Sequence, residues 1–76
     1  MQIEPDYTPR FIPARMAGEL LEYWLISKAY RYNRHDRMSW AAARFAREYP
    51  EIGVSSTGVY KDLEGLLGPF PGNILV

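Results

Sequence analysis

Six of the nine basic side chains, Lys28, Arg31, Arg34, Arg37, Arg44 and Arg47, fall within one stretch whose only acid is Asp36. This segment is locally about +5 in a chain of zero net charge, and local asymmetry bears on partner choice more than the sum does. The chemistry it suits is the holding of a polyanion, since Lys and Arg bind phosphates by displacing their counterions. Tyr30 and Tyr32 interleave with these cations, so the run from Lys28 to Arg37 pairs phosphate contacts with surfaces on which sugars or bases can stack. The same pattern has a plainer use, because cations favour the negative end of a helix and neighbouring tyrosines cover a core. Trp40, Arg44 and Arg47 share one helical face, where a guanidinium can stack on the indole and a backbone phosphate or a protein partner can be met.

Acid–base chemistry has one candidate, His35 beside Asp36, but no Ser or Cys stands at a spacing that would complete a nucleophilic site. Glu19 and Glu22 read as solvent-facing helix positions with no paired partner. No glycine-rich phosphate cradle precedes a helix. The absence of cysteine excludes disulfides and thiolate metal sites, and a single histidine is too few for an ordinary zinc site. An enzyme, a metal and a cofactor are therefore not expected.

The run Gly53-Val54-Ser55-Ser56-Thr57-Gly58-Val59-Tyr60-Lys61-Asp62-Leu63-Glu64 has the pattern of a helix read on its outer face. Ser55 stands at the N-cap, Val59 and Leu63 point inward, and Ser56, Thr57, Tyr60 and Lys61 point outward. These residues resemble the recognition helix of helix-turn-helix and winged-helix transcription regulators, in which a segment like Gly-Val-Ser-x-x-Thr-Val-Tyr-Arg-x-Leu recurs. The likeness runs from Ser39 to Leu67, with Gly58 where a threonine or similar residue usually stands. It implies that Ser55 caps the helix and meets a phosphate, while Ser56, Thr57, Tyr60 and Lys61 face the major groove of double-stranded DNA. Arg34, Arg37, Arg44 and Arg47 would then lie on phosphates. Three features depart from the family pattern: the turn Glu48 to Gly53 is longer than the compact form, Asp62 and Glu64 bring negative charge towards the phosphates, and too few residues follow Asn73 for a two-stranded wing.

The elements that must position these groups follow from periodicity. Met16, Leu20, Tyr23, Trp24 and Ser27 form one stripe and predict a helix from Ala14 to Tyr32, with Pro13 at its start. Leu25 and Ile26 fall off the stripe, which predicts a second apolar contact and points to a homodimer. Asn33 to Met38 reads as a polar connection, and Ser39 as the cap of a second helix whose inner face is Ala42, Phe45, Ala46 and Tyr49. Pro50 ends it. A third helix, Ser56 to Leu67, buries Val59, Leu63, Leu66 and Leu67, with Gly65 weakening its end by about 1 kcal/mol. Pro5, Pro9 and Pro13 make residues 1–13 an extended arm, residues 14–67 form the helical core, and residues 68–76 hold a turn and a short strand at Ile74 to Val76 that could pair with Gln2 to Glu4.

The expected fold is a single all-α domain of three helices, helix-turn-helix-like, with that terminal strand pair as an optional decoration. The longest apolar run, Leu20 to Ile26, is broken by Glu22 and far shorter than a membrane helix needs, and no leader-like segment opens the chain, so a cytoplasmic protein with no membrane partner is expected. Its expected function is DNA binding as a dimeric transcriptional regulator. The alternative is a non-enzymatic adaptor or inhibitor, of the kind mobile elements encode, that turns the same scaffold to a protein partner.

Overall fold

Ser55 caps the third helix as its position predicts: its backbone is extended and its Oγ accepts a hydrogen bond from the Gly58 N–H at 3.3 Å. In the computed structural model, which describes residues 7–68, this helix spans Ser56–Leu67, the range expected from periodicity. Two more helices precede it, Ala17–Ser27 and Arg34–Glu48, and no strand occurs among the described residues. We number the three α1, α2 and α3 in chain order. The fold is all-α, as expected; the strands predicted at the two termini and the turn from Pro69 to Asn73 lie outside the described residues.

Two helix boundaries differ from expectation, each for a local reason. The first helix does not reach Tyr32. A 3-10 turn, Ala14–Met16, leads into α1, which ends at Ser27 because the Trp24 carbonyl is claimed by side chains. Ser27 Oγ donates to it at 2.5 Å and Arg37 Nη2 at 2.9 Å. The Lys28 N–H, which would continue the helix on that carbonyl, turns instead to the Leu25 carbonyl at 3.3 Å, and the chain tightens and unwinds. The second helix starts before Ser39. Asn33 is its cap, with Oδ1 accepting from the Asp36 N–H at 2.8 Å and Nδ2 donating to Asp36 Oδ2 at 3.0 Å, so the supposed connection from Asn33 to Met38 is largely the first turn of α2.

α2 is the central helix and packs against both neighbours, while α1 and α3 touch each other little. Its inner face, Met38, Ala41, Ala42 and Phe45, is buried at i, i+3, i+4 and i+7. Leu20 from α1 and Val59 and Leu63 from α3 complete the core, together with Ile12 and Met16 from the segment before α1. The connection from α2 to α3 takes seven residues. It holds a second 3-10 turn, Pro50–Ile52, and closes through Gly53 at φ 67°, a left-handed conformation open to glycine at little strain. α3 then returns past α2. His35 reaches Tyr60, and Arg34 Nη2 donates to the Gly68 carbonyl at 3.1 Å, so the start of α2 is tied to the end of α3.

The arm before α1 belongs to the folded domain from Tyr7 onward. Asp62, which the sequence suggested would sit near phosphates, is instead fully buried and faces this arm. One carboxylate oxygen accepts from the Tyr7 hydroxyl at 2.6 Å and the Arg10 N–H at 2.8 Å. The other accepts from Phe11 N–H at 3.0 Å and Ile12 N–H at 2.8 Å. Two glycines of α3 make room for the arm. A Cβ on Gly65 would overlap the Tyr7 ring, and one on Gly58 would stand 3.2 Å from Phe11 and 3.0 Å from Val54. Gly58 and Gly65 thus serve close approach, which neither a helix propensity nor the family pattern conveys.

Candidate nucleic-acid interface

The outward side of α3 carries Ser56, Thr57 and Lys61, all exposed, with Tyr60 half-buried between them and α2. These four line a groove of about 370 Å³ whose other wall is α2, through His35 and Ser39. Its one acid is Glu64. On the far side of Ser39, α2 presents a second groove of about 430 Å³ formed by Arg31, Trp40, Ala43, Arg44 and Arg47, with Asp36 at its edge. Ser39 lines both. The small residues of α2 therefore leave a shallow floor, with Lys61 and the hydroxyls of α3 on one side and three arginines on the other.

The cations expected to act together divide into two groups. Arg44 is half-exposed, paired with Glu48 at 3.4 Å and held 5.6 Å from the centroid of the Trp40 ring. Such an exposed pair contributes little, at most about 1 kcal/mol, so a phosphate can replace Glu48 at small cost. Arg47 is exposed and makes no ion pair among the described residues. Arg37, by contrast, is spent inside the fold. Its Nε donates to Ser27 Oγ at 3.1 Å, its Nη2 to the Trp24 carbonyl, and its guanidinium lies 3.8 Å from the Trp24 ring centroid. Arg34 is similarly engaged with the Gly68 carbonyl and lies 6.0 Å from the Trp24 ring. Neither side chain lines the two grooves, although Arg34 lines the neighbouring hollow with His35 and Tyr60. Ser55 is exposed beside that surface, with its Oγ committed to the cap.

Trp40 is half-buried beneath Tyr30, the rings stacked at 4.9 Å and 16°. It acts as a post that fixes the Tyr30 turn and the Arg44 guanidinium over α2. Leu25 and Ile26 are exposed at 65% and 47%, as their off-stripe positions predict, and neither lines the two grooves.

Two residues of this region have roles that their sequence positions did not convey. His35, an incomplete acid–base candidate placed in a polar connection, stands in the first turn of α2 with Nδ1 2.8 Å from the Tyr60 hydroxyl. Asp62 carried a readable signal, since it lies three residues after Val59 and four before Leu66, on the apolar stripe of α3. Its role required the path of a distant arm. Among the described residues no group of three His, Cys, Asp or Glu converges to hold a metal ion, and no helix is long and apolar enough to cross a membrane. The chain matches no family model, no curated protein and no solved structure.

Proposed function

We propose that the protein binds double-stranded DNA through the paired grooves of α2 and α3, as a small helix-turn-helix-type transcriptional regulator that acts as a dimer. The observation that carries this reading is the continuity at Ser39, which joins the polar outer side of α3 to the arginine side of α2 in one surface. Burial of Asp62 adds to it by removing an acid from that surface. In this reading Ser56, Thr57, Tyr60 and Lys61 reach base edges in the major groove, while Arg31, Arg44 and Arg47 position the domain on phosphates. Four cations per protomer release about three to four counterions, so affinity falls about 100-fold between about 50 and 200 mM salt. That modest slope is one reason a dimer is invoked, with Leu25 and Ile26 as its contact.

The test is selection from random duplexes by wild type, Thr57→Ala and Lys61→Ala, followed by a titration of the selected duplex at two salt concentrations. Binding that weakens by about 100-fold or more between about 50 and 200 mM salt, with base preference lost at one or two positions in the variants, supports the reading. Exposure of Leu25 and Ile26 also fits the rival reading of an adaptor or inhibitor that grips another protein. Under that reading the duplex titration is flat, and a Leu25→Lys, Ile26→Lys variant loses its protein partner.

A further inference from the structure

The imidazole of His35 lies where two surfaces meet: it lines the α2–α3 groove together with Tyr60, and it also lines the neighbouring hollow that extends towards Gly68. Its Nδ1 is 2.8 Å from the Tyr60 hydroxyl, with the rings tilted at 59°. This contact uses one hydrogen-bonding position of the phenol and leaves the others to the two hollows that Tyr60 lines. Which polarity Tyr60 shows there depends on which partner donates in the contact.

Of the two neutral tautomers, the one with hydrogen on Nε2 leaves Nδ1 as an acceptor for the phenol O–H. Tyr60 then donates to Nδ1 and offers the groove lone pairs alone. In the imidazolium both ring nitrogens carry hydrogen, so Nδ1 must donate, Tyr60 must accept, and the phenol hydrogen is released into the groove. We infer that His35 is a positioning residue for recognition, its charge state setting whether Tyr60 presents an acceptor or a donor to the bound nucleic acid. The inference rests on the DNA-binding reading above and names a proton as the regulator of the same site.

The surroundings permit the change. The charged side chains that face His35 are Asp36 and Arg34 from α2 and Glu64 and Lys61 from α3, two of each sign, with the Gly68 carbonyl beyond them. His35 is the sole histidine of the chain and is exposed. As a donor, Tyr60 favours the acceptor edges of guanine or the N7 of adenine. As an acceptor it favours the amino groups of adenine or cytosine. The added charge also raises the number of released counterions by about one per protomer.

The experiment is selection from random duplexes, followed by salt titrations, at about pH 7.5 and about pH 5.5, an interval in which imidazoles change charge and ordinary carboxylates do not. Wild type is expected to show a slope steeper by about one per protomer at the lower pH and a switched base preference at one position. Tyr60→Phe should keep the steeper slope and lose the switch. His35→Gln, at an exposed position and verified as folded by its melting curve, should lose both. A wild type that selects one motif with one slope at both pH values overturns the role of His35 while leaving DNA binding intact. Failure to bind any duplex at either pH overturns both proposals.

Discussion

Asp62→Asn is the sharpest perturbation of this fold, because it changes charge and hydrogen bonding without changing shape. The carboxylate accepts four hydrogen bonds, two on each oxygen, from Tyr7, Arg10, Phe11 and Ile12. Asparagine keeps one acceptor oxygen and turns an NH2 group against two N–H donors. Hydrogen bonds to a charged group contribute about 1.5–3 kcal/mol each, so losing two would cost about 3–6 kcal/mol if the arm stayed in place. It need not stay, since residues 7–12 can swing out and let the amide hydrate, which caps the loss at the docking energy of the arm. We expect about 3 kcal/mol, or a melting point lowered by about 12–24 °C for a domain of this size. Urea unfolding gives the first quantity, and amide hydrogen exchange at Arg10, Phe11 and Ile12 shows where it arises: these amides should lose protection ahead of Phe45 and Leu63. A loss under about 0.5 kcal/mol with protection unchanged at those three amides would refute the anchoring role. The pH dependence has a definite sign. Burial pushes the Asp62 carboxyl up, but the hydrogen bonds from Tyr7 and from the N–H groups of Arg10, Ile12 and Phe11 outweigh it and leave it below its ordinary 3.8. Its stabilisation is therefore complete above that ordinary value and is lost as pH falls through the depressed one. Tyr7 moves the other way, raised above 10.0 by burial, then by its hydrogen bond to Asp62 and the charge there. That contribution is present below pH 10.0 and is lost as pH rises through the raised value. Asp62→Asn should thus remove the part of the acid limb of the stability curve that this carboxylate supplies.

Gly65→Ala should destabilise the wild type despite the gain of about 1 kcal/mol that alanine normally brings to a helix, because its Cβ would overlap the Tyr7 ring. In the Asp62→Asn background, where the arm is freed, the same change should become neutral or stabilising, and a cycle of urea denaturations measures that change of sign. Replacing Arg44 and Arg47 together by Ala should weaken binding to all duplexes alike and flatten the salt slope by about one to two units; altered base preference with an unchanged slope would contradict a phosphate role. Sedimentation should show a wild-type dimer and a folded monomer for Leu25→Lys with Ile26→Lys, whereas a wild type that remains monomeric at high micromolar concentration removes that interface.

Local signals in the sequence carried the bounds of the third helix and its buried Val59 and Leu63, while Leu66 and Leu67 are only half-buried. Its cap is one serine, its stop is a glycine, and its inner residues keep a 3.6 period from Val59 to Leu67. The ends of the first two helices were harder, because what sets them is side-chain chemistry. α2 begins at a reciprocal pair of Asn33 and Asp36 inside a stretch with one apolar residue, Met38, so periodicity had nothing to register there. α1 ends where Arg37, ten residues further on, occupies the Trp24 oxygen and Ser27 Oγ. The same long-range character hid the division of the arginines, since charge counting cannot separate Arg37, folded onto Trp24, from Arg47, left in solvent. Asp62 was misplaced for the most remote reason, as its partners lie 50 to 55 residues earlier in the chain. The outer face of α3, by contrast, follows from helical geometry alone, and Ser56, Thr57 and Lys61 are exposed as expected.

The central claim, that one continuous surface of α2 and α3 meets nucleic acid, is tested most directly by following backbone amide resonances while a short random-sequence duplex is added at low salt. The account predicts shifts that begin at Ser39 and Ala43 on α2 and at Ser56, Thr57 and Lys61 on α3, and that reverse as salt is raised. No shifts in the folded protein, or shifts confined to residues outside these two grooves, would contradict it.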